Sequence, residues 1–467
     1  MVKNQKYNKE IIGTPKLKEL KHKARRYSIK EGIFSSIKSS FGDSYISPFA
    51  IAINSSNSMV ALLTSIQGIL SPLSQMFSSR LIEKYPRKKI VMNAVFFESL
   101  MWLPFIILAI LFYKGILITQ LPLLLLFLFS IYIILTGIST PAWFSWMGDI
   151  VDKKYRGRWL AKRNFLTGVV SIIFIILSAF LLDYFKKQDL IIFGFIILFF
   201  MAFLSRFISW RLLKKQYEPK IKIKKYSYFS FTEFILKSPK TNFGRFTIYR
   251  ALIGFTQSIS ASLIAVYLLR ELGFNYVTYM IILLTGSFFS LLLIELWGKF
   301  ADNYGNYKIL VLTSILISTI PFLWIINKSP LYLILIPQLV SGIAWSGFNL
   351  ASANFIYDSV KKEKRSLAVS YYNMLEGIGI FLGAGLGALL ILVIKTTLIH
   401  PIIIIFIISG ILRFLVVFSF LNKIKEIRKT KKISNSGALK FLVFKEAKPT
   451  IIEEVHEIIS IKKYFLK

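Results

Sequence analysis

The sequence predicts an all-α membrane protein with twelve transmembrane helices arranged as two six-helix bundles. Of its 467 residues 55% are hydrophobic and only 18% are charged, and the mean hydropathy is +0.61. A soluble protein carries about 25% charged residues, so a soluble enzyme is excluded as a class. A bilayer span needs about 20 apolar residues, and the hydrophobic residues of this chain suffice for about twelve such spans.

Apolar runs of that length recur along almost the whole chain. We place them at residues 32–54, 59–79, 89–112, 121–147, 163–185, 190–212, 248–269, 276–298, 309–326, 331–355, 368–394 and 399–421. The predicted organisation is a basic N-terminal segment 1–31, a bundle 32–212, a basic linker 213–247, a second bundle 248–421 and a tail 422–467. In that tail a capping box, Thr450 with Glu453, begins an amphipathic helix.

The positive charge is concentrated on one side of the predicted spans. Lys and Arg total 59 against 23 Asp and Glu, and they collect in the tails and in the even-numbered connections. This distribution predicts a multi-pass protein of the cell membrane with both termini in the cytoplasm, and it explains the charge without nucleic acid. The chain has no Cys and no Walker-type motif, so we expect neither a metal nor another cofactor.

The two predicted bundles are parallel repeats of one another. A shift of 219 residues places residues 26–29 on 245–248 and Lys89 on Lys308. A shift of 209 residues superposes two copies of a motif in which Asp, Arg, Asn and Gly recur at the same spacing. The first copy is Asp149, Arg156, Asn164 and Gly168, and the second is Asp358, Arg365, Asn373 and Gly377. Two such matches in the same order are hard to obtain by chance, and they indicate an internal duplication.

A charged loop motif follows the second predicted span of each bundle. The second copy holds Gly298, Asp302 and Gly305 in the pattern G-x-x-x-D-x-x-G. The first copy is degenerate, with Glu83 for Asp and Pro86 for the second Gly, and it keeps a basic end in Arg87 and Lys88. With the two six-helix halves, this motif resembles the major facilitator superfamily, and residues 141–149 resemble a poorly characterised prokaryotic branch of it. The resemblance implies substrate binding between the halves and alternating access.

Asp43 in the first span is the sharpest candidate for proton coupling. An ionisable residue inside a membrane span is costly and is a functional candidate by default. The spacing of Ser36, Ser40, Asp43 and Ser47 places them on one face of a continuous helix. That face is expected to line a cavity; the alternatives are a helix–helix hydrogen bond and a site that lies shallow enough in the membrane to be wet.

Other intramembrane charges are weaker candidates. Glu98 and Glu376 are each expected to be either a second proton site or one half of an ion pair, with Arg413 as a conceivable partner for Glu376. The remaining three, which are Lys38, Arg250 and Glu295, lie nearer the ends of their spans and are expected to extend to water.

Polar and aromatic side chains of other spans suggest a substrate cavity. Gln338, Trp345 and Asn349 share one face of the tenth span, and Gln257 lies in the seventh. Trp143 in the fourth span is expected either to form an opposing wall or to pack. In the eleventh span Gly379, Gly383 and Gly387 recur every four residues, which is typical of close helix packing.

The charged loops also predict a conformational gate. Asp149 and Asp358 close the fourth and tenth spans, beside the basic loops. Arg87 or Lys88 is expected to pair with Asp149 while the cavity faces outward; the alternative is that these cations only set the topology. The remaining gate candidates come from the two loop motifs and the repeated spacing, and they are Glu83, Arg156, Gly298, Asp302, Gly305 and Arg365.

These features predict a monomeric secondary transporter, not an enzyme, that moves a small-molecule substrate across a lipid bilayer. Its coupling ion would be the proton or another ion. Two alternatives stay open: a lipid flippase of the same fold, and a non-transporting receptor or scaffold.

Overall fold

The computed structural model describes residues 15–151, 156–219, 230–361, 364–396 and 398–428, and within these ranges the regular structure is helical. Contacts divide the chain into two units. The N-terminal unit is Met1–Lys225 with Asn275–Val277, and the C-terminal unit is Tyr226–Phe274 with Thr278–Lys467. Of the predicted elements, the start of the N-terminal segment, residues 220–229 of the linker and the helix beginning near Thr450 lie outside the described residues.

Eleven helices of the described ranges are long and apolar enough to cross a membrane. They are Asn57–Lys84, Arg87–Tyr113, Leu121–Ile150, Arg158–Lys187, Ile191–Lys214, Asn242–Glu271, Tyr276–Tyr304, Asn306–Ile326, Pro330–Ser359, Leu367–Val393 and Pro401–Lys423. We call these the second to twelfth spans. The first span consists of the charged helix Pro15–Phe41 and the short helix Ile46–Ala52. The predicted all-α fold of twelve spans is confirmed.

Within several spans the helix changes at a defined residue. The third divides into Arg87–Leu100 and Trp102–Tyr113, and the seventh into Asn242–Ala261, Ile264–Val266 and the π-helix Tyr267–Glu271. The tenth divides into Pro330–Leu335 and Pro337–Ser359. Before the seventh span lie a short helix Phe231–Lys237 and a 3₁₀ turn Ser238–Lys240. The twelfth span consists of the helix Pro401–Phe420 and ends in a 3₁₀ turn, Leu421–Lys423.

The first span is broken where the sequence predicts a continuous helix. Its long helix ends at Phe41, a 3₁₀ turn covers Asp43–Tyr45, and a new helix begins at Ile46. Gly42 lies against the ring of Trp102, and a Cβ atom there would come within 2.1 Å of it. The prediction of one regular helical face through Asp43 is therefore wrong. The break places the Asp43 carboxylate on a turn inside the bundle.

A buried aromatic cluster supports this turn in the N-terminal unit. The rings of Trp102, Phe105 and Phe199 are buried, with centroids 5.4 to 5.9 Å apart. The ring of Tyr132, from the fourth span, packs edge-on against Trp102 at 5.2 Å. This packing fixes the position from which the Tyr132 hydroxyl reaches the turn.

Close backbone contact joins the seventh and eleventh spans of the C-terminal unit. Gly379 and Gly383 lie against the carbonyl oxygens of Ala251 and Phe255, where an added Cβ atom would stand only 2.1 and 2.0 Å away. Small residues permit this approach in lipid, where apolar burial gives little drive for helix association. The predicted glycine stripe is thus a helix-packing surface.

Candidate functional site

The N-terminal unit contains a polar cavity of about 320 Å³. Its lining residues come from the first, second, third, fourth and sixth spans, and they include Ser35, Lys38, Asp43, Gln67, Glu98, Tyr132 and Arg206. Four of these seven side chains are carboxylates or cations. Burying such a charge inside a membrane costs free energy unless an opposite charge compensates it.

Asp43 is the carboxylate at the open end of this cluster. One of its oxygens accepts a hydrogen bond from the Tyr132 hydroxyl, and the other lies 3.0 Å from Nζ of Lys38. The Asp43 side chain is 37% exposed, whereas that of Lys38 is 5% exposed. Asp43 therefore combines an internal cation partner with access from the cavity.

The ion pairs continue from Lys38 into the bundle. Nζ of Lys38 lies 3.0 Å from one Glu98 oxygen, and Arg206 donates to the other oxygen at 2.6 Å. Arg206 also lies 3.7 Å from Glu31, which accepts a hydrogen bond from Arg163 at 3.3 Å. These contacts make a continuous chain of three cations and three carboxylates. Its charges cancel.

The predicted serine stripe of the first span does not form one wall of this cavity. Ser36 donates to the Ile33 carbonyl, and the buried Ser40 hydroxyl lies 3.0 Å from the Ser171 hydroxyl. Ser47 follows the break and is half-buried, outside the cavity lining. Ser35 and Lys38, from another face of the helix before the break, line the cavity instead, and the turn at Asp43–Tyr45 takes Ser47 out of register with them.

The prediction that Lys38 extends to water is wrong. Its ammonium group is held by Asp43, Glu98 and the Tyr132 hydroxyl, each 3.0 Å away. Compensation by two carboxylates makes this burial possible. Sequence position alone did not separate a lysine near the end of a span from one whose side chain is turned inward.

A second cavity of about 270 Å³ in the same unit contains the predicted Trp143. The guanidinium carbon of Arg163 lies 4.4 Å from the centroid of the Trp143 ring, a cation–π contact. Ser35, Arg206 and two residues of the fourth span, Ser139 and Thr140, line both N-terminal cavities.

The C-terminal unit has its own cavity of about 190 Å³. Three residues predicted from the sequence, Gln257, Gln338 and Trp345, lie together in its lining. They are joined there by Ser260, Ser341, Trp324, Phe406 and Arg413. Asn349 is exposed and lies outside this lining, since it is one turn of the tenth span beyond Trp345.

Glu376 belongs to a separate ion pair of the C-terminal unit. Its partner is Arg250, which donates at 2.5 Å and lies over the ring of Phe348 at 5.0 Å.

The expected partner Arg413 instead donates to the Ile317 carbonyl at 2.9 Å and to the Ser260 hydroxyl at 3.0 Å. The predicted Arg413–Glu376 pairing and the predicted extension of Arg250 to water are both wrong. Glu295 is exposed and pairs with Lys299.

Asp149, at the end of the fourth span, contacts the loop motif of the N-terminal unit. It accepts a hydrogen bond from Arg87, whose guanidinium also donates to the Ser145 carbonyl at 2.9 Å. Lys88 has a different role, because its Nζ donates to the carbonyl of Gln216 at 2.7 Å. Its backbone N–H donates to the Glu218 carboxylate at 3.1 Å, which caps the third span. We call this group the N-terminal latch.

The C-terminal unit repeats this arrangement with different side chains, which we call the C-terminal latch. Asp358 accepts hydrogen bonds from Asn306 at 3.1 Å and from Arg428 at 2.7 Å. The hydrogen bond from Arg428 to Asp358 raises the pKa of the arginine above its ordinary value. Glu426 caps the ninth span at the N–H of Tyr307, 2.8 Å away.

The other predicted gate residues surround these latches. Gly305 has φ of +87°, a conformation that favours glycine, and it forms the turn before Asn306. Glu83 and Asp302 are exposed, and Gly298 has no heavy atom within 4 Å of a built Cβ atom. The side chains of Arg156 and Arg365 lie outside the described residues.

Sequence reasoning missed much of the buried ion chain. It did not select Glu31, Tyr132, Arg163 or Arg206, although Arg206 lies within the predicted sixth span. The signal that would have found Arg206 is the rule already applied to Asp43, that a charge inside a span needs an explanation. Tyr132 carried no such signal.

Comparisons with known proteins identify the family and the fold. The family model for the Major Facilitator Superfamily matches residues 32–250 and again residues 246–463. A search of curated proteins finds no match.

Solved transporter structures share the fold at low sequence identity. The nucleoside transporter NupG is 15% identical with a TM-score of 0.61, over 87% of this chain and 100% of that one. A bacterial homologue of the iron transporter ferroportin, inward-facing, is 13% identical with a TM-score of 0.64, over 85% and 98%. A bacterial homologue of the human lysosomal transporter Spinster is 13% identical with a TM-score of 0.53, over 89% and 100%.

Proposed function

Since the chain belongs to the Major Facilitator Superfamily and is a multi-pass membrane transporter of a small-molecule substrate, we propose that it is a proton-coupled secondary transporter. In this proposal Asp43 takes up and releases the coupling proton during alternating access. The resemblance recognised in the sequence is confirmed, and the family indicates a transporter, not an enzyme.

One observation carries the coupling proposal: Asp43 is the accessible end of an otherwise buried ion chain. Its side chain is 37% exposed, whereas the side chain of Glu98 is 0% exposed. A proton arriving on Asp43 neutralises one of the two carboxylates that hold Lys38. The ammonium group then has Glu98 as its remaining carboxylate. Loading Asp43 with a proton thus changes the charge of the cavity by one unit.

The two latches are proposed to link this cavity to alternating access. The contact of Arg87 with Asp149 ties the third span to the fourth, and Glu218 ties the linker to the third span. Asp149 is 38% exposed and Arg87 8%, so water reaches the pair from the Asp149 side. An ion pair that water reaches contributes about 1 kcal/mol, which is small enough to break once in each transport cycle.

We further propose that the protein is a monomer in the cell membrane with both termini in the cytoplasm. The positive-inside rule supports this orientation, because the cations collect in the tails and the even-numbered connections. A single cysteine replacing Lys328 should then react with an impermeant reagent from outside the cell, and one replacing Lys222 should not. The reverse pattern would overturn the orientation.

The coupling proposal is tested with Asp43→Asn in proteoliposomes, after a stabilisation screen of purified protein has supplied a substrate. The amide keeps the size of the side chain and one acceptor oxygen, but it loses the second acceptor and has no group that can take up and release a proton. We expect uptake against a gradient to be abolished while exchange of labelled for unlabelled substrate continues. Glu295→Gln, which neutralises an exposed carboxylate outside all three of the cavities described above, should keep both activities.

Three results would contradict these proposals. Full concentrative, proton-driven uptake by the Asn variant would remove Asp43 from coupling. A wild-type protein that moves fluorescent lipid between leaflets, without moving any solute of the screen, would favour the flippase. Activity in neither assay would favour a receptor or scaffold.

A further inference from the structure

The C-terminal cavity holds a buried cation that has no carboxylate partner among the described residues. Arg413 is only 3% exposed. Its terminal nitrogens donate to the Ile317 carbonyl at 2.9 Å, to the Ser260 hydroxyl at 3.0 Å and to the Gln257 carbonyl at 3.4 Å. Its Nε atom is buried and donates to no acceptor of the described chain. All of these partners are neutral.

The internal repeat shows what is missing. Arg413 of the twelfth span follows Arg206 of the sixth by 207 residues, two fewer than the shift of 209 that relates the preceding spans. At this spacing the buried faces of the two spans coincide, with Phe195, Leu198 and Phe199 on Ile402, Ile405 and Phe406. Ile317 follows Glu98 by the repeat shift of 219 residues. In the N-terminal unit Arg206 donates to Glu98 at 2.6 Å. In the C-terminal unit Arg413 meets, at the position that matches Glu98, the backbone carbonyl of Ile317 and no carboxylate. The arginine is present in both copies, and its carboxylate is present in one.

An uncompensated cation in a membrane span is destabilising, because removing a charge from water is unfavourable unless a counter-charge compensates it. The hydrogen bonds to a backbone carbonyl and a hydroxyl orient the guanidinium without neutralising it. A buried charge of this kind is a candidate for binding an opposite charge that the chain itself does not supply.

The surroundings of Arg413 fit a ligand with one charged end and an apolar body. The polar part of the lining consists of Gln257, Ser260, Gln338 and Ser341. The remaining walls are apolar and include the rings of Trp324, Trp345 and Phe406. Pockets for small molecules combine such walls with a few placed polar groups.

We propose that the C-terminal cavity binds the carboxylate of a small organic anion with an apolar or aromatic body, and that Arg413 supplies the charge that holds it. The proposal rests on the transport function and names its substrate class. The site takes a monoanion, because one buried cation balances one negative charge, whereas a phosphate dianion would leave one charge unpaired. A guanidinium also matches a carboxylate in its planar, forked geometry.

The test is direct binding to the purified full-length protein in detergent, which needs no transport. The probes are benzoate and its neutral, nearly isosteric amide, benzamide, with sodium chloride matched in ionic strength. We expect benzoate to bind and to raise the melting temperature of the wild type in a saturable way. Benzamide and chloride should not, and inorganic phosphate should bind more weakly than benzoate.

Three variants separate the site from general effects on the fold. Arg413→Gln should weaken benzoate binding about ten- to hundred-fold, the range expected for a hydrogen bond to a charged group. Arg413→Lys keeps the charge and should retain weaker binding, so it tests the site even if the Gln variant does not fold. The control Arg211→Gln removes an exposed arginine of the sixth span and should bind as the wild type does.

Equal stabilisation of the wild type and Arg413→Gln by benzoate would overturn the proposal, and so would equal binding of benzoate and benzamide. Absence of any saturable carboxylate binding would also overturn it. None of these results bears on the coupling role of Asp43, which is measured by uptake and exchange in proteoliposomes. A loss of proton coupling in Asp43→Asn with intact benzoate binding would in turn separate the two claims.

Discussion

The two units place an arginine at repeat-related positions but stabilise it in different ways. In the N-terminal unit Arg206 belongs to a chain in which three cations meet three carboxylates. In the C-terminal unit Arg413 has only neutral partners among the described residues, and Gln257 stands where the first unit has Lys38. One copy of the duplication thus neutralises its own charges, and the other keeps one charge available.

A second pair of repeat-related positions carries opposite charges in the two units. Glu31 of the first span and Arg250 of the seventh are related by the repeat shift of 219 residues. Glu31 pairs with Arg163 of the fifth span, and Arg250 pairs with Glu376 of the eleventh. The pairing of these two spans persists in both units while the charges exchange places. The ion pair as a whole is therefore the structural element that both copies retain.

The largest effect is expected for Glu98→Gln. This change leaves Lys38 and Arg206 with one fewer carboxylate in a fully buried position, and breaking a buried pair costs about 3–5 kcal/mol. In detergent, Glu98→Gln should melt at a lower temperature than Asp43→Asn. Asp43 is half-exposed, so water partly compensates for the loss of its negative charge. Equal melting temperatures for the two variants would contradict a self-neutralised N-terminal cluster.

A somewhat smaller loss of stability is expected for Gly383→Ala. At Gly383 the backbones of the seventh and eleventh spans are in direct contact. The added Cβ atom would lie 2.0 Å from the Phe255 carbonyl oxygen, so the two helices must separate. Overpacking of this kind costs about 1–3 kcal/mol.

The matched control is Gly168→Ala in the fifth span of the N-terminal unit, where no heavy atom lies within 4 Å of the new Cβ atom. It should be neutral or stabilising, since alanine favours a helix by about 1 kcal/mol over glycine. The packing account would be wrong if both variants melted at the same temperature.

Asp149→Asn should shift the conformational balance of the protein by about 1 kcal/mol. It weakens the contact with Arg87 while leaving the buried clusters intact, so the inward-open population is expected to rise. Spin labels across the proposed cytoplasmic mouth should report longer distances, and the melting temperature should change little. Unchanged distance distributions would remove the gating role of the N-terminal latch.

The C-terminal latch is expected to show the smallest response, to alkaline pH. Hydrogen bonding to Asp358 raises the pKa of Arg428 in the folded protein. The stabilisation that this contact gives is therefore fully present below the pKa of arginine in the unfolded chain, and it is lost only as the pH rises through the higher pKa of the folded state. Raising the pH from about 7 to about 10 should therefore leave this contact intact.

Arg428→Lys provides the comparison, because a lysine titrates near pH ~10. Proton exchange at the Tyr307 amide, which Glu426 caps beside Arg428, should become more alkali-sensitive in the Lys variant than in the wild type. Equal sensitivity of the two proteins would contradict a role for Arg428 in holding the latch.

The sequence by itself determined the membrane class, the all-α fold, the twelve spans and the internal duplication. These properties depend on local hydrophobicity and on the order of motifs along the chain, which any window of the sequence displays. Asp43 could be singled out in the same way, because a charge within an apolar segment is visible in the sequence alone, whatever its partners in the fold are.

Only the tertiary structure decided which charges meet. Glu98 and Arg206 are 108 residues apart, and Arg250 and Glu376 are 126 apart. Their pairing depends on the rotation of each helix about its axis. The break beside Gly42 lies against Trp102 of another span, a contact that the sequence of the first span does not reveal. Side-chain partners are set by packing between distant segments, and the hydropathy of a segment carries no record of them.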